Sequence, residues 1–259
     1  MTTERKDAAR ATAADASRRH YSRSATSVGP KRKPSKAATS RVSAIVQALE
    51  NWYGLPEAGR IDPIDLLVQT ILSQNTSDLN SGRAFSALRS AFPDNLGLLE
   101  APLERIAQLI RPGGLGDMKA ARIRSALERI EEDFGRVDLS CLADMPLSQA
   151  RQYLIGLPGV GPKTAAVVLL FAFGKPTMPV DTHVHRLCRR LGLVPEKASV
   201  QRTQELMEAV TPPGKYLSLH LNLIRHGRRF CRARSPNCDE CPIRALCPYP
   251  EMAASGQKD

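Results

Sequence analysis

The sequence predicts an all-α protein of about ten helices joined by short loops. From residue 41 onward, apolar residues recur at helical spacing, as in Val42, Ile45, Val46 and Leu49. No segment alternates strictly between apolar and polar residues, and no Asn-Gly pair marks a hairpin turn. We therefore expect helices and no sheet.

The predicted helices begin at recognisable signals. The first carries its apolar face from Val42 to Trp52. Asp62 followed by Pro63 is an N-cap with proline at the first helical position, and Asp117 is expected to cap a later helix. The predicted helices after the first are Asp62 to Leu72, Ser77 to Phe92, Pro102 to Ile110, Asp117 to Phe134, Leu147 to Ile155, Pro162 to Phe173, Asp181 to Leu191, Val200 to Val210 and Tyr216 to Arg228.

Positive charge is concentrated at the N-terminus. The 259 residues have a formal net charge of +11, of which residues 1–41 contribute +8 through eleven Lys and Arg against three acidic residues. A basic balance suggests an acidic partner such as nucleic acid. Residues 1–40 contain a single aromatic side chain, Tyr21, so we expect a disordered basic tail that is either a phosphate-binding arm or an inert extension.

The composition argues against a membrane protein and a secreted disulfide scaffold. The longest apolar run, Ala165 to Phe173, has nine residues, about half the length of a membrane span. The N-terminus lacks the apolar segment of a secretory signal, and six cysteines are too few for a disulfide scaffold in a chain of this length. We expect a monomer in the cytoplasm or nucleoid that makes no membrane contact.

Four cysteines near the C-terminus form the most specific motif. Cys231, Cys238, Cys241 and Cys247 follow a C-x6-C-x2-C-x5-C pattern within seventeen residues. Four thiolates can bind one zinc ion or a [4Fe–4S] cluster, and so short a loop needs such a centre because it has no core. Zinc sites usually contain two C-x2-C pairs, and one such pair is present, so the spacing favours iron–sulfur. The loop also carries two candidate phosphate contacts, Arg232 and Arg234.

The segment Leu157-Pro-Gly-Val-Gly-Pro-Lys-Thr-Ala-Ala166 predicts a helix–hairpin–helix. Pro158 and Gly159 turn the chain, Gly161 allows a ligand to approach the backbone, and Pro162 begins the second helix. The N–H groups of Gly159, Gly161 and the first helical turn would then point outward. Such an arrangement binds phosphate without regard to base sequence, so nucleic acid is the expected ligand.

Lys163 and Asp181 are candidate catalytic residues. Lys163 lies in the first turn of its helix, where the positive end of the dipole favours a neutral amine, so it could form a Schiff base or simply contact phosphate. Asp181, in Val180-Asp-Thr-His-Val-His-Arg186, is expected to cap the next helix and would also favour a nearby cation. His183 and His185 are two residues apart and cannot share a helix face, so we expect no metal pair there.

Together, the three motifs resemble the endonuclease III family of DNA glycosylases and AP lyases, within the helix–hairpin–helix superfamily, over about residues 41–249. The resemblance implies that the four cysteines bind a [4Fe–4S] cluster. It also implies that Lys163 is the Schiff-base lysine and that Asp181 is the catalytic aspartate, which helps to activate the nucleophile and stabilises the charged sugar. His183, close to that aspartate, is expected to contact DNA.

The resemblance implies a two-lobed fold with a DNA-binding cleft between the lobes. A six-helix barrel lobe containing the hairpin would occupy residues 57–175. A helical lobe carrying the cluster would combine residues 41–56 and 176–250, with tails at 1–40 and 251–259.

Two loop residues are expected to enter the DNA duplex. Similar enzymes fill the gap left by the extruded nucleotide with the Gln of a Ser-Ala-Gln-Ala-Thr-Asp motif. Here the segment Ser73-Gln-Asn-Thr-Ser-Asp78 places Asn75 at that position and Gln74 one residue earlier, and this departure leaves the preferred opposite base open. Leu115, in Gly113-Gly-Leu-Gly116, matches the wedge leucine of the family.

The resemblance implies a bifunctional DNA glycosylase and AP lyase of base excision repair that removes oxidised pyrimidines, such as thymine glycol, from double-stranded DNA. Lys163 would displace the extruded base from the sugar, and β-elimination would then cut the strand. Three alternatives remain. The first is an enzyme for 8-oxoguanine, a class that also combines Asn with Lys but lacks the four cysteines. The second is an adenine or thymine-mismatch glycosylase, a class that lacks the lysine. A non-catalytic DNA-binding protein with a zinc site is the third.

Overall fold

The computed structural model describes residues 35–57, 59 and 61–254. Within these residues the chain is helical and contains no β-strand, so the all-α prediction is confirmed. None of the described helices combines the length and the apolar character needed to cross a membrane. The helices are α1 (Lys36–Tyr53), α2 (Pro63–Leu72), α3 (Asp78–Ala91), α4 (Asn95–Glu100), α5 (Leu103–Ile110), α6 (Gly116–Phe134), α7 (Leu147–Gly156), α8 (Pro162–Phe173), α9 (Thr182–Arg190), α10 (Val200–Val210), α11 (Tyr216–Arg229) and α12 (Tyr249–Ala254), with 3₁₀ turns at Arg111–Gly113, Ser140–Ala143 and Arg244–Leu246.

Contacts between Cα atoms divide the chain into two compact units. The first contains Ile61–Val168. The second combines the described parts of Arg32–Arg60 and Leu169–Asp259. The lobe boundaries at residues 57, 175 and 176 that the family resemblance implies stay a prediction.

The first unit is built on the apolar faces of α2, α5 and α6. Leu67, Ile71, Ile106, Ile110 and Ile123 are all fully buried there. Burial of such side chains supplies most of the stability of a helix in water, because short helices are marginal by themselves. The packed faces fix the ends of these helices, and the candidate DNA-contacting loops lie at those ends.

Two helix starts differ in how well the sequence predicts them. The carboxylate of Asp62 caps α2 as predicted, accepting hydrogen bonds from the N–H groups of Ile64 at 2.9 Å and Asp65 at 3.0 Å. Asp117 does not cap α6, because the helix begins at Gly116 with Leu115 in the cap position. That prediction was wrong by two residues. Asp117 lies instead in the first turn, where its charge still complements the helix dipole.

The second unit packs α1, α9, α10 and α11 around a single apolar cluster. Ile45, Leu49, Leu187, Met207 and Leu223 are buried members of this cluster. They come from segments far apart in the sequence. The N-terminal helix is therefore part of the same core as the helices that precede the cysteine loop.

Helix α1 begins earlier than predicted. The Ser35 hydroxyl accepts a hydrogen bond from the N–H of Ala38 at 3.2 Å and caps a helix that starts at Lys36. Residues 36–40 are therefore helical, and the predicted tail of residues 1–40 is too long at its C-terminal end. Residues 1–34 and 255–259 lie outside the described part of the chain. At the other terminus, α12 occupies residues 249–254, four of which were assigned to the tail of residues 251–259.

One further prediction, for Trp52, was wrong, and one short helix was missed. Trp52 is 51% exposed and contacts Phe230 edge-on, with ring centroids 6.1 Å apart, so the buried face of α1 ends at Leu49. Helix α4 was not predicted. It has six residues, too few for an apolar repeat, and it depends on its Asp94 cap.

Replacing Leu49 by alanine should lower the free energy of unfolding by about 2–5 kcal/mol, because it leaves a cavity in the second core. Trp52→Ala should lower it by about 1 kcal/mol, the scale of an exposed aromatic contact. Urea unfolding followed by circular dichroism measures both values. Equal losses would show that Trp52 is a core residue, as its spacing suggested.

Candidate active site and cluster loop

The hairpin between α7 and α8 is tightly turned and exposed. The N–H of Val160 donates to the carbonyl of Leu157 at 3.1 Å, and Gly159 has a φ of +76°. A Cβ atom on Gly159 would lie 2.8 Å from the Arg122 side chain. Glycine is therefore required at 159 both for its backbone angle and for the close approach of Arg122.

Gly161 is different, because nothing lies within 4 Å of the position that a Cβ atom would occupy. Its φ is outside the left-handed region, so the fold itself does not demand glycine there. The open space above Gly161 lies beside the first turn of α8. A phosphate could approach the backbone at this point, as the sequence analysis expected.

Lys163 occupies the first turn of α8 and is exposed. It makes no hydrogen bond or ion pair with any residue that the structure describes. The arrangement leaves Lys163 accessible to react with a ligand.

Gln74 links the loop after α2 to the hairpin. Its Nε2 donates to the carbonyl of Gly159 at 3.0 Å, and its Oε1 accepts from Arg122 Nη1 at 3.0 Å. Both ends of the Gln74 amide are thus engaged within the protein. The structure gives this predicted DNA-contacting residue a bracing role that the sequence did not suggest.

Asn75 and Leu115 are exposed and both have a φ of 55°. Among the non-glycine residues that the structure describes, only these two and Ser235 have positive φ. Asn tolerates the left-handed region, whereas Leu does so rarely, and such strain persists only where the surroundings enforce it. An apolar side chain that is strained and 52% exposed, as Leu115 is, indicates a functional placement.

Asp181 caps helix α9 as predicted. Its Oδ1 accepts a hydrogen bond from the N–H of Val184 at 2.7 Å. Its other oxygen accepts no hydrogen bond within the described residues. The carboxylate is half-buried, so one oxygen holds the helix while the other can interact with a developing positive charge.

His183 is held against Arg186. Arg186 Nη2 lies 3.1 Å from His183 Nδ1, and the backbone of Gly227 forms a hydrogen bond with the same imidazole. Burial lowers the pKa of His183, and Asp181 opposes this effect in part. Gly227 makes room for the pair, since a Cβ atom there would lie 2.9 Å from His183 Nδ1.

Two arginines of α9 hold the backbone of the cysteine loop. Arg186 donates from Nε and Nη2 to the carbonyl of Cys231, at 3.1 and 2.9 Å. Arg190, 4% exposed, donates to the carbonyls of Arg232 at 2.8 Å and Ala233 at 3.1 Å. The helix that Asp181 caps is thereby fixed to the loop that carries the first cysteine.

The four cysteines line one pocket within the second unit. No three His, Cys, Asp or Glu side chains of the described residues are close enough to share a single metal ion. Burial raises the pKa of Cys247 to about 11 and also raises those of Cys238 and Cys241. Any metal centre bound here must therefore displace thiol protons. A cavity lined by four sulfur atoms fits a cluster that takes one thiolate per iron.

His226 donates towards the cysteine loop. Its Nε2 lies 3.4 Å from Cys241 Sγ, and its Nδ1 lies 3.1 Å from the Tyr53 hydroxyl. Burial lowers the pKa of His226 to about 4 and raises that of Tyr53 to about 12, so both groups are uncharged at neutral pH. When Cys241 is a thiolate ligand, Nε2–H donates to its sulfur and Nδ1 accepts from the Tyr53 hydroxyl. Donors directed at the cysteine sulfurs, this one and Arg190 Nη1 at 3.5 Å from Cys231 Sγ, suit thiolate ligands.

Arg232 and Arg234 are exposed on the cysteine loop. Their guanidinium groups make no hydrogen bond or ion pair within the part of the chain that the structure describes. The loop backbone beside them is fixed by Arg190, as described above. Two free cations on a fixed loop are well placed to contact phosphates.

Comparison with known families decides between the chemistries that these residues allow. The model for the HhH-GPD superfamily base excision DNA repair protein matches residues 68–213, more than half of the chain. The model for the iron-sulfur binding domain of endonuclease III matches residues 231–247, which the four cysteines span. The chain belongs to the endonuclease III family.

Individual relatives agree with this assignment. Endonuclease III of Bacillus subtilis (strain 168) is 37% identical over 186 residues, which cover 72% of this chain and 81% of the relative. A non-covalent endonuclease III–DNA complex superposes with a TM-score of 0.70 and 28% identity, covering 84% of this chain and 98% of that chain. A trapped endonuclease III–DNA covalent intermediate gives a TM-score of 0.69 and 29% identity, covering 83% and 98%.

Family membership resolves two alternatives that the motifs left open. The protein is a DNA glycosylase and AP lyase of base excision repair, and it binds DNA. The cofactor of its cysteine loop is a [4Fe–4S] cluster and not zinc. The matched segment begins at Cys231 and ends at Cys247, so it contains the four cysteines that are predicted to hold the cluster.

Sequence reasoning missed the residues that support this site. His226, Arg186 and Arg190 act on the cysteine loop, and Arg122 acts on Gln74 and the hairpin. Each partner is far away in the sequence, so no local spacing indicates the contact. The one available signal was the position of Arg186 and Arg190, four residues apart on a single helix face.

Replacing Cys241 by serine should prevent full cluster assembly, because serine removes one of four thiolates. We expect a reduced iron and sulfide content and a loss of visible absorption in the purified protein. Cys141→Ser is the matched control, since Cys141 is half-buried and lies outside the cysteine loop. Unchanged iron content in Cys241→Ser would exclude Cys241 as a ligand.

Proposed function

We propose that this endonuclease III homologue removes oxidised pyrimidines such as thymine glycol from double-stranded DNA and then cuts the strand, with Lys163 as nucleophile. The observation that carries this proposal is the exposed amine of Lys163 in the first turn of α8, which has no partner among the residues that the structure describes. An amine with no internal partner is available to attack the sugar. We expect the protein to act as a monomer.

The proposed reaction has two stages. Lys163 Nζ attacks C1′ of the extruded nucleotide, and the bond between C1′ and the base breaks as the base leaves. The amine nitrogen then loses a proton, the C1′–O4′ bond breaks with a proton passing to O4′, and the opened sugar is left joined to Lys163 through an imine at C1′. Removal of a C2′ proton then breaks the bond between C3′ and its phosphate oxygen, which completes β-elimination.

Asp181 supports both stages through its carboxylate. The oxygen that does not cap α9 can accept a proton from the attacking amine and stabilise positive charge on the sugar. The other oxygen keeps the carboxylate in place by holding the N–H of Val184. The two oxygens thus have separate roles, which explains why the Asp181 carboxylate is both half-buried and held in a fixed position.

The DNA-contacting residues fall into two groups. Gly159 and Gly161 provide backbone N–H groups for phosphates, Arg232 and Arg234 provide cations, and His183 provides an imidazole for a polar contact. Asn75 and Leu115 are proposed to enter the duplex, Asn75 facing the orphaned base and Leu115 wedging the stack. Gln74 remains a proposed contact through its backbone, because its amide is engaged with the hairpin.

One observation favours a second substrate. Asn75, exposed at the position where relatives carry Gln, resembles the residue that 8-oxoguanine enzymes place in the gap. Cleavage of a duplex that contains 8-oxoguanine is therefore the second candidate activity. The trapping experiment described next includes it as a separate substrate.

Lys163→Gln should abolish covalent trapping by borohydride on a duplex carrying one thymine glycol, because no imine can form. The substitution should leave folding intact, since Lys163 has no partner among the described residues. Lys197→Gln, on another exposed lysine, is the matched control and should trap like the wild type. Covalent trapping of Lys163→Gln would show that Lys163 is not the nucleophile. Trapping of the wild type on a duplex that contains 8-oxoguanine, and not on thymine glycol, would show that 8-oxoguanine is the substrate.

Asp181→Asn should lower kcat by about 10²–10⁴-fold while DNA affinity changes little, because the amide cannot accept the proton. Asn is an equally good helix cap, so the melting temperature should stay close to that of the wild type. Asp181→Ala loses the cap as well and should unfold about 1 kcal/mol more easily. Wild-type kcat in Asp181→Asn would exclude the carboxylate from catalysis.

Removing residues 1–34 should flatten the salt dependence of DNA affinity if the tail contacts phosphates. Each lost contact reduces the slope of log K against log[salt] by about 0.9. The truncation ends before Ser35, so the cap of α1 is kept. A full-length control with the nine Lys and Arg of residues 1–34 replaced by Gln separates charge from length. An unchanged slope in both would make the tail an inert extension.

A further inference from the structure

Lys119 of α6 is a buried lysine that the mechanism above does not use. It is 1% exposed and is the largest fully buried side chain of the described residues. Its Nζ donates to the carbonyl of Leu72 at 2.7 Å and to the carbonyl of Gly113 at 2.9 Å. Burying an ammonium group is costly unless it is well hydrogen-bonded, so a lysine kept here must serve a purpose that an apolar residue could not.

The two carbonyls belong to the ends of two separate segments. Leu72 is the last residue of α2, and Gly113 is the last residue of the 3₁₀ turn Arg111–Gly113. Carbonyls at such ends lack partners within their own helix and carry partial negative charge. A single ammonium group satisfies both and fixes the distance between them.

Each of these carbonyls lies just before an exposed residue of positive φ. Asn75 follows Leu72 by three residues, and Leu115 follows Gly113 by two. The two side chains proposed to enter DNA therefore project from loops whose bases are joined by one buried cation. Because Nζ is enclosed, Lys119 cannot reach DNA or the reacting atoms itself.

Other contacts hold the same two loops. The Gln74 amide ties the first loop to Gly159 and Arg122, and Arg122 lies one turn beyond Lys119 on α6. In the second loop, a Cβ atom on Gly116 would lie 2.9 Å from the carbonyl of Ala107, so the backbone is already at contact distance.

Burial, followed by the charge of Arg122, lowers the pKa of Lys119. The two short contacts from Nζ to carbonyl oxygens show that the amine is used as a donor.

We propose that Lys119 is a positioning residue for nucleotide extrusion, which sets the spacing between Asn75 and Leu115 without touching DNA. This inference rests on the proposed function, in which those two side chains enter the duplex. It deepens that function by assigning the site a residue that selects double-stranded over single-stranded substrate. When Lys119 is replaced, we therefore expect activity to be lost on duplex DNA and kept on single-stranded DNA.

The test compares β-elimination at an abasic site in duplex DNA with the same reaction in a single strand. Lys119→Met keeps a similar length and removes the donors. We expect the duplex rate to fall by about 10–100-fold, because misplacing a positioning group by an ångström has an effect of this size. The single-strand rate should stay within about twofold of the wild type, because no partner base or stack has to be displaced. Lys197→Met is the matched control and should change neither rate.

A second readout follows extrusion without chemistry. In the Lys163→Gln background, 2-aminopurine beside the lesion should brighten on binding duplex DNA, and this rise should be lost when Lys119→Met is added. Equal falls of the two β-elimination rates would mean that Lys119 supports the fold alone. Unchanged rates would also overturn the proposal.

A coupling experiment keeps the proposal testable if Lys119→Met folds poorly. Lys119→Arg retains charge and donors in a different geometry and can replace it. If Lys119 acts through Asn75 and Leu115, either Lys119 variant should have little further effect on the duplex rate of an Asn75→Ala/Leu115→Ala enzyme. Additive losses would contradict the proposal. Both abasic substrates test it even if the enzyme does not accept oxidised pyrimidines, so failure of the lesion assignment can be recognised separately.

Discussion

The functional loops of this protein depend on buried cations that donate to backbone carbonyls. Loops and helix ends leave carbonyl groups without partners, and such groups are costly to bury. Lys119 satisfies the carbonyls of Leu72 and Gly113, and Arg190 satisfies those of Arg232 and Ala233. Part of the positive charge of the folded chain is therefore structural. Cations that are available to DNA, such as Arg232 and Arg234, are exposed on loops that those buried cations hold in place.

Strained and closely packed backbone marks the places where DNA contact is proposed. Gly159 is needed because its φ is positive and because Arg122 lies against it. Leu115 has the same kind of backbone angle without the freedom of glycine, so the surrounding contacts must enforce it. Gln74 and Asn75 are adjacent but differ in their surroundings. The Gln74 side chain is hydrogen-bonded to the hairpin and to Arg122, whereas the Asn75 side chain is exposed. Gln74 therefore supports the loop and does not take the gap-filling position proposed for Asn75.

The local features of the fold could be predicted from sequence because their causes are local. Helix α8 has its predicted bounds, Pro162–Phe173, since a proline begins it and a glycine follows it. The Asp181 cap and the cysteine loop were found for similar reasons. Lys119 and His226 could not be found in this way. The carbonyl of Leu72 lies 47 positions from Lys119, and Tyr53 lies 173 positions from His226. The prediction for Trp52 was wrong because the spacing of apolar residues along a helix does not show where the buried core ends.

The cysteine loop and Asp181, the proposed catalytic aspartate, are held by one set of contacts. Asp181 caps α9, and Arg186 and Arg190 of the same helix donate to the loop backbone. His226 of α11 contacts the sulfur of Cys241. A loop with so little apolar surface cannot hold this geometry alone, so the [4Fe–4S] cluster and the two arginines fix it together. The loop and the helix support each other, because a loop that is fixed to α9 also restrains the helix that Asp181 caps. In the proposed mechanism the cluster would support Asp181 by fixing this loop, a role that needs no change in the oxidation state of the cluster.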